Sequence, residues 1–131
     1  MSVEARLDVL LVTGRPQTHE ELLLVLRARG VLARCTARSE RLPGLLAQSP
    51  AVVMVDLVHP PALTVAGRRS LEGMRGRVLL LALHQGRLDH VDGELSELPV
   101  DGYVGASDTA RIAEVALRRH QPLAPLAPLA N

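Results

Sequence analysis

Phenylalanine and tryptophan are absent from these 131 residues, and tyrosine and cysteine occur once each, as Tyr103 and Cys35. Isoleucine is also confined to one position, Ile112, so the core must be built from Leu, Val and Ala. Such an aliphatic filling suits thin layers of helix on sheet. Lysine is missing altogether, all 15 basic residues being arginine. That excludes a P-loop lysine, a Schiff-base lysine and a lysine general base. A lone cysteine closes no internal disulfide, and the apolar surroundings of Cys35 predict a buried structural thiol. The net charge of +1 offers no bulk attraction to a polyanion. No apolar run reaches membrane-spanning length, and the opening MSVEARLD lacks the basic-then-apolar pattern of a secretory leader. These absences predict a soluble protein of a reducing, cytoplasmic compartment.

What is present is a regular alternation. With 47% hydrophobic residues and room for one ordinary core, the chain predicts a single α/β domain over residues 1–120. Leu7–Val12 is a compact apolar run broken by Thr13-Gly14-Arg15-Pro16, as a buried strand entering a loop. Thr18 is then expected to cap a helix with Glu20 and Glu21 in its first turn, apolar at Leu22, Leu23 and Leu26 and stopped at Gly30. Val31–Ala37 reads as a second strand, followed by a short helix capped by Ser39. Ala51–Val55, ending in Asp56, is a third strand; Leu63 to Met74 a helix; Arg77–Leu83 a fourth strand. Leu88–Leu98 is a helix interrupted by Gly93, Gly102–Val104 a short fifth strand, and Asp108 caps a final helix carrying Ile112, Val115 and Ala116. Strands without polar alternation, joined by helices, imply a parallel sheet covered on both faces, with ligands bound beyond the strands' carboxyl ends. Residues 121–131 hold a threefold Pro-Leu-Ala repeat that cannot be helical and reads as an extended tail or linker.

Three local motifs, in this order and spacing, resemble the receiver domain of two-component response regulators. Val12-Thr-Gly-Arg-Pro16 falls where receivers carry an acidic pair. Val52-Val-Met-Val-Asp-Leu-Val-His-Pro60 is similar to their third strand with its phospho-accepting aspartate, and Asp101-Gly-Tyr-Val104 to the stretch before their conserved lysine. The resemblance spans about residues 7–120. It implies a flavodoxin-like (βα)5 doubly wound fold, strand order 2-1-3-4-5, with helices on both faces, and a role in two-component signal transduction. It also places Asp56 at the phosphoacceptor position.

The departures from that pattern bear most on function. Mg²⁺ needs oxygen ligands, and aspartyl phosphate formation needs a cation to neutralise the incoming charge. The acidic pair is here Thr13-Gly14, followed by Arg15. The switch hydroxyl corresponds to Ala82, or to Leu83 one residue on, and the lysine to Ala106. Mg²⁺-dependent phosphorylation of Asp56 is therefore not expected, and neither a cofactor nor a metal is implied. Two accounts of Asp56 remain open: a charge-assisted pair with Arg15, or a solvated carboxylate that caps the following loop. His59 and His84 share the same edge without a close-set metal-ligand motif, while His19, His90 and His120 are assigned to helix surfaces. No catalytic motif appears, so no enzyme is expected.

In receivers the face made by the fourth helix, fifth strand and fifth helix commonly mediates dimerisation. Here Leu88–Leu98 carries Asp89, Asp92, Glu94 and Glu97, and the final helix carries Arg111, Arg118 and Arg119. Segregated signs suggest an isologous homodimer. The expected function is a degenerate receiver acting as a regulatory or protein-interaction module, with an effector or kinase as partner and no direct nucleic-acid or membrane binding. The alternatives are a small-molecule-sensing atypical receiver and residual phosphoacceptance at Asp56.

Overall fold

The structure, a computed structural model, describes residues 8–48, 50–85 and 100–120, with side chains through residue 118. The segment expected as a helix at Leu88–Leu98, with Asp89, His90, Asp92, Glu94 and Glu97, and the Pro-Leu-Ala tail lie outside the described residues.

Five parallel strands form one sheet in the order β2-β1-β3-β4-β5. They are β1 (Asp8–Val12), β2 (Leu32–Thr36), β3 (Val52–Asp56), β4 (Leu79–His84) and β5 (Gly102–Gly105). The central strand β3 is buried along its whole length, which is why its sequence shows no polar alternation. From β1 the chain crosses outward to β2 and then returns to the other side of β1 as β3. The reversal of winding leaves a crevice at the carboxyl ends of β1 and β3, immediately before Thr13 and after Asp56.

Each sheet face carries its own apolar layer. Odd-numbered positions of β1 (Val9, Leu11) and even-numbered positions of β3 (Val52, Met54) meet α1 (Glu20–Ala28) and α4 (Thr109–His120) through Leu22, Leu26, Ile112 and Ala116. Leu10, Val12, Val53 and Val55 face the other way, against α2 (Leu42–Leu46) and α3 (Val65–Glu72) through Leu42, Leu46 and Leu71. Burying one leucine of such a layer is worth roughly 1.5–3 kcal/mol, and Leu10, Leu26, Leu42, Leu71 and Leu80 are all fully buried.

The local signals account for most element ends. Gly30 adopts φ 81°, the left-handed conformation that closes α1. The Arg27 guanidinium then donates to the Ala33 carbonyl at 2.9 Å, tying α1 to β2. Asp108 caps α4 by accepting from the Arg111 N–H at 3.1 Å, as expected. Asp101 exchanges two bonds with Leu80, its own N–H to the carbonyl at 2.6 Å and its carboxylate from the N–H at 2.8 Å. These anchor the start of β5 on β4.

Two caps behave differently from the expectation. Pro16–His19 forms a 3-10 turn ahead of α1, and the Thr18 hydroxyl donates back to the Arg15 carbonyl instead of capping the helix. Ser39 begins another 3-10 turn, Ser39–Arg41, and its hydroxyl accepts from the Thr64 N–H at 2.9 Å. Thr64 in turn caps α3 by accepting from Gly67 N–H at 3.0 Å. A Cβ at Gly67 would collide with Ser39 Oγ, so this junction needs glycine. Among the described residues no helix is long and apolar enough to cross a membrane.

Candidate functional site

Asp56 ends β3 on the same sheet face as Met54 and is wholly inaccessible to solvent, as is Thr13. A bare carboxylate in that position would be strongly disfavoured. It is instead enclosed by donors of its own chain. The Thr13 hydroxyl donates to Oδ2 at 2.8 Å, and His19 Nε2 lies 2.7 Å from the same oxygen. Backbone N–H groups of Val58 and His59 donate to Oδ1 at 2.8 and 3.2 Å. Contact with a carboxylate oxygen places a proton on His19 Nε2. The Thr13 oxygen also accepts the Arg15 N–H at 3.1 Å, so one hydroxyl links the loop after β1 to the carboxylate.

Burial pushes the Asp56 carboxyl up. The hydrogen bonds from His19, Thr13, His59 and Val58 together outweigh it and hold the group below the ordinary carboxylate range. Cys35, half-buried, is pushed up by burial and by the Asp56 charge, against a smaller opposing effect of Arg27. A thiol rather than a thiolate follows, although the residue is only partly buried and not the buried thiol expected.

The partner of Asp56 is thus His19 and not Arg15. The Arg15 side chain is exposed and makes no ion pair among the described residues. The residue before a proline is held to extended backbone, and Arg15 has φ −139° and ψ 79° ahead of Pro16. Of the two sequence-based accounts, loop capping is the one observed, by the bonds to Val58 and His59, but for a buried carboxylate and not a solvated one. His19, assigned above to a helix surface, is only 7% exposed. A signal for it existed: positions 19, 22, 23 and 26 share one face of a helical pattern, and 22, 23 and 26 are leucine.

The loop after β1 is pressed onto the loop after β3. Gly14 N–H donates to the His59 carbonyl at 2.7 Å, and a Cβ at Gly14 would stand 2.7 Å from the Pro60 carbonyl oxygen. No side chain fits at position 14 without moving one loop. Ala82 and Leu83 are buried in β4, paired with Val55 and Asp56, and neither brings a polar side chain to the site. Ala106 follows β5, its N–H donating to the His84 carbonyl. It borders a crevice of about 200 Å³ with Thr18, His19, Val58, His59 and Ser107. His84 packs edge-on against Tyr103 with ring centres 6.4 Å apart. Among the described residues, no three His, Cys, Asp or Glu side chains gather as metal ligands.

No model of a known protein family matches the chain, and no curated protein does. Solved structures do. The receiver domain of Klebsiella pneumoniae RstA, BeF3-activated, superposes with a TM-score of 0.60 at 19% identity over 87% of this chain and 99% of its own. The CheY-like response regulator receiver domain from Methylobacillus flagellatus gives 0.61 at 19% identity, covering 88% of this chain and 99% of its own. The receiver domain of a Pseudomonas aeruginosa sensor histidine kinase, with magnesium in its active-site cleft, gives 0.66 at 18% identity, covering 87% and 97%. The fold is that of a receiver domain.

In this receiver fold Asp56 stands at the end of the third strand, where the sequence motif placed the phosphoacceptor position. Of the residues expected around it, the structure brings Thr13 into contact, holds Gly14 against the neighbouring loop and turns Arg15 away. The expected charged face is altered too. Arg111 and Arg118 both reach Glu114 of their own helix, at 3.4 and 2.6 Å, so α4 is not uniformly basic. The spacings of three and four residues already contained these pairs. The Arg119 side chain lies outside the described residues.

Proposed function

We propose that this domain is a regulatory receiver that operates without Mg²⁺-dependent phosphorylation of Asp56. The observation that carries the reading is the enclosed carboxylate: both oxygens are taken by four donors of the same chain, and none of it is open to solvent. A phosphoryl acceptor must present a free lone pair in line with the leaving group, beside a cation that neutralises the added charge. Here the two positions that would supply further carboxylates are Thr13 and Gly14. The space at Gly14 is occupied by the Pro60 carbonyl. The proton on His19 Nε2 provides the local positive end that a cation would otherwise supply.

On this reading the domain is not an enzyme and signals as a cytoplasmic module through protein contacts, with a kinase or effector as partner. Self-association through the face that includes β5 would cover Tyr103, which is 48% exposed on the edge strand. Sedimentation at low and high salt tests that contact, and a monomer at all concentrations removes it. A second reading, ligand sensing, is favoured by the crevice beside His19. At about 200 Å³ it suits a ligand of a few heavy atoms and not a nucleotide.

Acetyl phosphate, and separately beryllofluoride, each with Mg²⁺, test the main reading. Intact mass and the amide spectrum should stay unchanged. A mass gain of one phosphate that Asp56→Asn abolishes would overturn it.

A further inference from the structure

The other end of the sheet carries a feature that the receiver resemblance does not use. A strand of five residues at about 3.3 Å each spans roughly 16 Å, whereas the five residues of α2 at 1.5 Å each rise only about 7.5 Å. The two helices on this face, α2 and α3, therefore end beside the turns that lead into β3 and β4, Pro50-Ala51 and Arg77-Val78. The result is a groove of about 600 Å³ between them. Pro43, Leu46, Met74 and Val78 are among its apolar lining, and Arg69 and Arg77 are its charged residues. Leu46 and Val78 are buried, so the floor is preformed and apolar. Pro43 and Pro50, also at the groove, hold fixed backbone and lose little freedom on binding. No acidic residue lines the groove, and neither Arg69 nor Arg77 makes an ion pair among the described residues.

We propose that this groove is a docking site for an acidic peptide segment of a partner protein, one that alternates carboxylate and aliphatic side chains. Two exposed guanidinium groups flanking an apolar floor match carboxylates set either side of a Leu or Val. Arg69 also lies in the last turn of α3, where a basic side chain complements the helix dipole on its own account. That role does not involve Arg77, which lies beyond the helix, or the concave floor between the two arginines.

The probe is a phage-displayed library of random seven-residue peptides, selected on the wild-type domain and counter-selected on the Arg69→Glu/Arg77→Glu double variant. Both positions are exposed, so the variant should fold, as its circular dichroism and melting temperature would report. Selected peptides should carry at least two acidic residues around an aliphatic one. Synthetic versions should shift the amides of Ala47, Ser70 and Gly73 and bind at least tenfold more weakly to Arg77→Ala. Scrambled peptides of the same composition should bind at least tenfold more weakly as well. The proposal is overturned if no acidic consensus emerges, or if the amide shifts map elsewhere. It is equally overturned if scrambled peptides or a single-stranded oligonucleotide bind as well, or if the double variant instead abolishes a concentration-dependent dimer. None of these outcomes depends on whether Asp56 is phosphorylated.

Discussion

Replacing His19 by alanine is the most direct perturbation of the enclosed carboxylate. The variant loses the 2.7 Å contact to Asp56 Oδ2, while Thr13, Val58 and His59 keep theirs. A hydrogen bond to a charged group contributes about 1.5–3 kcal/mol. The loss stays near the lower half of that range because the crevice beside His19 lets water reach the vacated space. We expect a loss of about 2 kcal/mol, read by urea unfolding at pH 7. For a domain of this size that is roughly 8 °C in melting temperature. His19→Phe separates packing from polarity: it refills the volume but offers no donor, and should be no more stable than His19→Ala.

The pH dependence supplies a second readout. Asp56 titrates below its unfolded value, so its ionised, hydrogen-bonded form contributes stability that is fully present above about pH 4. This contribution drains away as pH falls through the lower folded value. Without His19 one of the bonds that depress the group is gone, so the acid limb of the variant should be shallower. The stability gap to wild type should then narrow below about pH 4. A His19→Phe variant as stable as wild type at pH 7, with an unchanged acid limb, would refute the assignment of His19 as the partner of Asp56.

Arg15→Ala should change unfolding free energy by less than about 0.5 kcal/mol, since the side chain is exposed and only its backbone N–H contributes, to Thr13; a loss above 1.5 kcal/mol in the same urea titration would restore the arginine pairing. Gly14→Ala should cost about 1–3 kcal/mol by forcing a Cβ against the Pro60 carbonyl. Gly14→Asp should be at least as destabilising, and isothermal titration with Mg²⁺ should give no heat of binding, in contrast to what a simple restoration of the acidic pair would produce.

Much of this protein was legible in the residue order. Apolar runs without alternation specified buried parallel strands, because a strand covered on both faces has no polar side to display. Glu20 and Glu21, Gly30 and Asp108 marked helix ends through chemistry that acts within one turn. The position of Asp56 at the end of β3 and the Thr13-Gly14 pair ahead of Arg15 were equally local facts.

What the sequence alone left open was which donor Asp56 would find. Arg15 followed Thr13-Gly14 directly and carried the obvious charge, but its side chain is exposed, on backbone held extended ahead of Pro16. His19 reaches the carboxylate only because the 3-10 turn and α1 pack their leucine face against β1 and β3, across 37 residues of chain. The same holds for Ser39, whose hydroxyl serves Thr64 and not its own helix, and for the groove, which α2, α3 and the turns before β3 and β4 line together. Capping and strand formation depend on neighbours within a few residues, and so can be read from order. Enclosure of a charge depends on which surfaces the core brings together, and only the packed sheet and its helices decide that.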